Sequence, residues 1–236
     1  MRSIIDESAL ECAVKAICPH VFERIDINSN DKLNEETLWE ELICCILSSQ
    51  VSYEVAQAAT FELVKSGLIG LTPNFSNFRK FEEDVRALLQ KPLRVRDRNI
   101  RYRFPNVRAQ QIVQVHKTVS KLGGSLSKIV YEVKQPQELR DYLIEILPGI
   151  GPKQASMFLR NIGISYDLAI LDRHVLNYMH ATNIVTNAGA RSFGKREYLS
   201  TEMKLLKYAE ELGYPVGCVD WAIWIVMRVA IREGYV

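Results

Sequence analysis

The chain lacks an apolar run long enough to cross a bilayer. Its most apolar late stretch, Trp221 to Met227, falls far short of the roughly 20 residues a spanning helix needs. No secretory leader is expected, because MRSIIDESALECAVK carries acids and no apolar core of signal-peptide length. No membrane partner is expected, and the cytoplasm is the expected location. Five cysteines include no C-x2-C pair. Adjacent Cys44 and Cys45 lie in an apolar helix pattern and read as small buried hydrophobes, while Cys12, Cys18 and Cys218 are too scattered for a zinc or iron–sulfur site. Neither metal nor cofactor is expected. Charge of one sign is scarce too, with 30 Lys and Arg against 28 Asp and Glu. A net charge of +2 says nothing about partners until its distribution is examined.

What is present is helical periodicity. With 47% hydrophobic and 25% charged residues over 236 positions, the chain can bury the core of one large domain or two small ones. Helices are expected over about 7–24, 38–50, 53–66, 78–90, 106–122, 195–212 and 217–232, with two more flanking Gly149 and one opening at Asp172. No strand run and no internal repeat stand out, so the expected fold is all-α. Asp26, Asn28 and Asn30 mimic the first ligands of a calcium loop. Asp31 stands where that loop needs glycine and Thr37 where it needs glutamate, so the segment reads as a polar loop ending in Asn34 as a helix cap.

The most informative stretch is LPGIGPKQASMFLRNIG, Leu147 to Gly163. Leu139, Tyr142, Leu143, Ile146 and Leu147 share one helical face, and Ala155, Phe158, Leu159 and Ile162 share another. Between them Pro148-Gly149-Ile150-Gly151-Pro152 reads as a tight glycine hairpin, with Pro152 at the first position of the second helix. Lys153 then lies in a first turn, where unpaired N–H groups and the helix dipole disfavour an ammonium. A lysine with more neutral amine is a better nucleophile. Gly149 and Gly151 let the backbone present N–H groups to an anion such as a phosphate. The bland alternatives are a simple turn and a surface lysine.

A second feature is KPLRVRDRNIRYRFPNVRAQ, residues 91–110, with seven Lys or Arg and a single acid. Basic residues interleaved with Tyr102 and Phe104 form a nucleic-acid footprint rather than an ordinary solvated loop, because the remainder of the chain is net acidic. Arg101, Arg103 and Arg108 are its candidate contacts.

The hairpin at 147–161, followed by AILDRHVL at 169–176, resembles the helix-hairpin-helix DNA glycosylases. Within them the likeness is greatest to the archaeal-type 8-oxoguanine DNA glycosylase/lyases. ELICCILSSQ at 41–50, RFPNVRAQ at 103–110 and VDWAIW at 219–224 agree with it. The resemblance implies two helical subdomains, 1–38 with 165–236 and 39–164, with an active-site cleft between them. It implies a monomer acting on duplex DNA that contains a damaged base, an oxidised purine above all. It makes Lys153 the nucleophile of an imine mechanism and Asp172 the carboxylate that stabilises a cationic sugar. His174 becomes a phosphate contact and Gln50 a polar wedge filling the gap left by a flipped base. Asp220, Trp221 and Trp224 help form the base pocket. Asp172 can also be a plain helix cap, and tryptophans at i and i+3 also pack cores. The chain departs from the archaeal pattern at its end, Arg232-Glu233-Gly234-Tyr235-Val236, where a terminal lysine is missing. Two rival readings follow: a non-catalytic helix-hairpin-helix DNA-binding module, and a related glycosylase-fold enzyme for another modified base.

Overall fold

The structure is a computed structural model that describes residues 7–28, 33–69, 77–133, 135–186 and 194–234. Parts of the rejected calcium loop (29–32) and of the chain end (235–236) lie outside the described residues. Eleven helices and one short hairpin make up the described elements. The chain divides by its own contacts into two units, residues 1–31 with 163–236, and residues 32–162.

The first unit holds α1 (Glu7–Asn28), α9 (Arg173–Ala181), α10 (Lys195–Leu212) and α11 (Val216–Arg232). Its core is built on α11, whose Cys218, Val219, Ala222, Ile223 and Met227 are fully buried. Val14 and Cys18 of α1 and Val175, Tyr178 and Met179 of α9 belong to the same core. The α10–α11 corner turns at Gly213, whose φ of 76° is left-handed backbone that glycine adopts without strain. No single described helix is long and apolar enough to cross a membrane, and α10 with α11 pass that test only as a pair bent by 93°.

The second unit holds α2 (Glu35–Leu47), α3 (Tyr53–Lys65), α4 (Phe78–Gln90), α5 (Pro105–Lys121), α6 (Leu126–Glu132), α7 (Pro136–Ile146) and α8 (Pro152–Asn161). Leu38, Trp39 and every residue from Leu42 to Leu47 of α2 are buried, as befits a helix enclosed by α3, α5, α6 and α8. Asn34 caps it by accepting the Thr37 N–H at 2.9 Å. Cys44 and Cys45 pack in the core as small side chains, 7% and 1% exposed. The helix ends at Leu47 rather than reaching Gln50.

Glu35 organises the amino end of α6. Its carboxylate accepts from the Leu126 N–H, from the Ser127 N–H at 2.9 Å and from the Ser127 and Ser125 hydroxyls. Burial works to raise its pKa, but these donors together hold it below the ordinary glutamate range. Glu35 also accepts from the Trp39 indole at 3.1 Å.

One sequence expectation is corrected here. No strand run was expected, yet β1 (Pro92–Val95) and β2 (Arg98–Arg101) form an antiparallel ribbon, with Leu93 opposite Ile100 and Val95 opposite Arg98. Leu93 and Tyr102 are buried, and the Tyr102 hydroxyl donates to the Leu47 carbonyl at 2.7 Å. Apolar residues alternating with arginines thus seat one face of the ribbon on the core.

The same unit contains a buried titratable group. The His116 ring stacks on Trp39 at 4.1 Å, with Phe81 edge-on at 5.2 Å. Burial pushes its pKa down to about 4. A folded-state value below the unfolded value of roughly 6.5 means the fold takes the neutral ring. The stability so conferred is complete above pH 6.5 and is lost as pH falls toward 4, for a total of about 3 kcal/mol. Urea unfolding at pH 7 and 4.5 should show this loss in the wild type and a clearly smaller one in His116→Phe. Equal slopes in both proteins would refute it.

Candidate active site

In the second unit the chain leaves α7 at Leu147 and turns at Gly149, whose φ is 87°. A Cβ there would be strained and would stand 2.5 Å from the Gln111 amide. That amide has little room to yield, because Gln111 Oε1 accepts from the buried Arg108 guanidinium. Gly151 is the N-cap of α8 and supplies no side-chain cap, so the first-turn amides of this helix are left for another acceptor. Pro152 takes the first helical position, as its fixed φ suits. Lys153 follows, partly exposed, and its amine has no hydrogen-bond or ion-pair partner among the described residues of the unit. Its charge is felt at the buried end of α2. There burial, then Glu41 and Cys44, push the Cys45 thiol far up, while Lys153 and Arg160 pull against them.

Beside the hairpin lies an open concavity of about 470 Å³, lined by Gln50, Phe104, Gln111, Gly149 and Gln154 among others. Gln50 holds a left-handed φ of 61°, unusual for a side chain with a Cβ. The turn that carries it is anchored from beneath, where Arg108 Nη2 donates to the Ser49 carbonyl at 3.1 Å. Arg108, expected as a DNA contact, is therefore 7% exposed and supports the Gln50 turn. Arg103 is exposed with its guanidinium over the Phe104 ring at 4.9 Å, and Arg101 is exposed on β2. The structure thus groups Gln50, Arg108, Gly149 and Gly151 around one concavity and leaves Arg101 on the ribbon.

In the first unit the connection from Gly163 to α9 is buried from Leu168 to Leu171. Interior backbone needs partners, and three side chains that sequence reasoning did not single out together provide them. Glu202 accepts the Ala169 N–H at 2.9 Å, and Asp220 the Ile170 N–H at 2.7 Å. The Tyr198 hydroxyl accepts the Leu171 N–H at 3.3 Å and donates to the Ala169 carbonyl at 2.6 Å. Asp220, expected to line a base pocket, is 1% exposed, with this hydrogen bond to the loop. Tyr198 and Glu202, four apart on α10, carry no sequence signal beyond a tyrosine and a glutamate on one helix face.

The clamped loop delivers Asp172 to the N-cap of α9, where Oδ1 accepts the Val175 N–H at 2.9 Å. Among the described residues its second oxygen has no hydrogen-bond partner. His174 lies two residues further along, half-buried, edge-on to Trp224 at 6.4 Å. Burial first, with Arg173 and Arg228, outweighs the pull of Asp172 and sets the His174 pKa below its ordinary range. The Arg228 guanidinium lies 4.8 Å over the Trp224 ring. Trp224 therefore belongs with His174, whereas Trp221 packs partly buried against the core.

The helix hairpin turned on a left-handed glycine, the unpaired lysine in the next first turn and the capping aspartate are the features on which the resemblance to the helix-hairpin-helix DNA glycosylases rests. The comparisons carry this further. The family model described as Ogg-HhH, 8-oxoguanine DNA glycosylase, matches residues 22–214. The 8-oxoguanine DNA glycosylase/AP lyase of Saccharolobus solfataricus is 32% identical over 206 residues, 86% of this chain and 89% of that protein. Its counterpart in Thermoplasma volcanium is 31% identical over 194 residues, 82% and 81% of the two chains. The crystal structure of the 8-oxoguanine DNA glycosylase of Thermotoga maritima superposes with a TM-score of 0.69 at 30% identity, covering 97% of this chain and 96% of that one. The Methanocaldococcus jannaschii 8-oxoguanine glycosylase/lyase, solved with a 15mer DNA containing 8-oxoguanine, gives a TM-score of 0.66 at 26% identity over 92% and 90%. This chain belongs to the 8-oxoguanine DNA glycosylase family.

The loop clamp is directly testable. Tyr198→Phe removes the acceptor for Leu171 N–H and the donor to Ala169 in one change. It should cost about 1–3 kcal/mol of unfolding free energy and speed Leu171 amide exchange well beyond that of core amides in α11. Unchanged Leu171 exchange would show that the clamp does not hold the loop.

Proposed function

We propose that this protein is a bifunctional DNA glycosylase/AP lyase that excises 8-oxoguanine from duplex DNA through an imine on Lys153, acting as a cytoplasmic monomer. The observation that carries the assignment of Lys153 is its unpaired amine in the first turn after the glycine hairpin. The target nucleotide must leave the stack, since its glycosidic carbon is unreachable inside a duplex. The Lys153 amine attacks C1′ as the bond from C1′ to the base nitrogen breaks. The base departs with that electron pair and takes up a proton. Loss of a proton from the nitrogen and opening of the sugar ring give the imine. Removal of a proton from C2′ then expels the 3′ phosphate oxygen and nicks the strand.

Asp172 faces the positive charge that develops on the sugar and assists proton transfer. Its cap bond fixes the carboxylate while the second oxygen stays available. The Gly149–Gly151 amides and His174 hold phosphates. Gln50 is the wedge, and its strained backbone is consistent with a residue retained for its side chain. Trp224 walls the base pocket, and Asp220 acts beneath it by holding the loop. A purely DNA-binding module would have no use for a lysine and a carboxylate kept free in this way.

Borohydride trapping on an 8-oxoguanine duplex tests the assignment. Lys153→Gln should abolish the trapped adduct while the dissociation constant stays within about threefold of wild type, a change of little more than half a kcal/mol. An adduct at wild-type yield would identify another amine as the nucleophile.

Asp172→Asn separates cap from chemistry, since Asn caps about as well as Asp. A near-native melting temperature and retained lesion binding are expected. Single-turnover excision should fall on the order of 100-fold, about 3 kcal/mol of barrier. Excision within about threefold of wild type would leave Asp172 as a cap only.

A further inference from the structure

The ribbon differs from the other basic surface of its unit. On α4 every basic residue has an acidic neighbour one turn away: Arg79 with Glu83 at 3.3 Å, Lys80 with Asp84 at 2.7 Å, and Arg86 with Glu82 at 3.0 Å. On the ribbon only Arg96 has such a partner, Glu54 at 3.5 Å. Arg94, Arg98, Arg101 and Arg103 are exposed and have no ion pair among the described residues. Strand alternation sorts them by face. Leu93, Ile100 and Tyr102 point inward. Arg94, Asn99, Arg101 and Arg103 fall on the outward face, so this face presents hydrogen-bond donors and no carboxylate.

Clustered like charges repel, and this cluster has no internal anion to offset the repulsion. Guanidinium groups match phosphate oxygens in a two-pronged geometry that lysine lacks. The ribbon is also firmly held, through the buried Leu93 and the Tyr102 hydrogen bond to Leu47. Its second strand runs on through Arg103 to Phe104, on the rim of the concavity beside the helix hairpin.

We propose that the outward face of the β1–β2 ribbon, Arg94, Asn99 and Arg101, is a second phosphate-backbone surface that grips undamaged duplex DNA flanking the lesion. It rests on the reading of the chain as a DNA enzyme and adds to the contacts of the glycine hairpin. Its role is affinity that is independent of the lesion.

The test is a salt titration of duplex binding by wild type and Arg94→Ala/Arg101→Ala, on an 8-oxoguanine duplex and on the same sequence with guanine. Two lost phosphate contacts should flatten the plot of log K against log salt by about two units. The wild type should then lose about tenfold more affinity than the variant between 50 and 200 mM salt. The weakening should be equal on the two duplexes, and Arg94→Lys/Arg101→Lys should restore most of the slope. An unchanged slope, or weakening on the damaged duplex alone, would overturn the proposal. So would loss of binding to phosphatidylserine vesicles with duplex binding intact, which would assign the face to a membrane. Borohydride trapping by the wild type reports on the catalytic reading independently, so failure of one does not masquerade as failure of the other.

Discussion

The chain between Gly163 and Arg173 is buried from Leu168 to Leu171, and interior backbone has to be hydrogen-bonded. This constraint explains why α10 and α11 carry buried polar groups among their apolar ones. Glu202, Asp220 and Tyr198 serve the amides of Ala169, Ile170 and Leu171 in turn. The next amide, Asp172, donates to the Ile170 carbonyl at 2.8 Å. Four successive N–H groups are thereby satisfied, and the carboxylate at the end of the series is fixed by a buried frame. An unmet buried amide costs about 1–3 kcal/mol, so the loop and its frame form together.

The second unit meets a related constraint with glycine and arginine. Its hairpin turn is closed by Gly149, against which Gln111 packs, and Gln111 is held by Arg108. The same arginine secures the Ser49 carbonyl next to the left-handed Gln50. One buried guanidinium thus couples the hairpin that presents Lys153 to the turn that presents Gln50. A strained backbone persists only where its surroundings determine it, and here the determining contact is a charged hydrogen bond from below.

Features governed by near neighbours were legible in the sequence. The helix hairpin could be read from Pro148 to Pro152 because proline and glycine act on their own dihedral angles. Asp172 and Asn34 could be read as caps because a cap bonds only three residues on. The ribbon was hidden although its alternation was present in Leu93, Val95, Ile100 and Tyr102, because the intervening arginines masked the apolar periodicity and read as a nucleic-acid footprint. Helix α6 is seven residues long and depends on Glu35, about ninety positions away in the chain. The clamp on the 169–171 loop was invisible for the same reason: its three side chains lie 27 to 50 positions from the amides they serve. For α6 and the loop clamp, distance in sequence set the limit.

Each unit meets the unpaired amides of a helix start in its own way. At α9 the exposed amides are met by the chain's own carboxylate, which leaves one fixed oxygen and a negative charge at the helix start. At α8 the cap is a glycine, so the amides keep their partial positive charge and are joined there by the lysine. An anion is welcome at α8 and a cation at the Asp172 carboxylate. The sign of charge at each helix start thus follows from which residue occupies its N-cap.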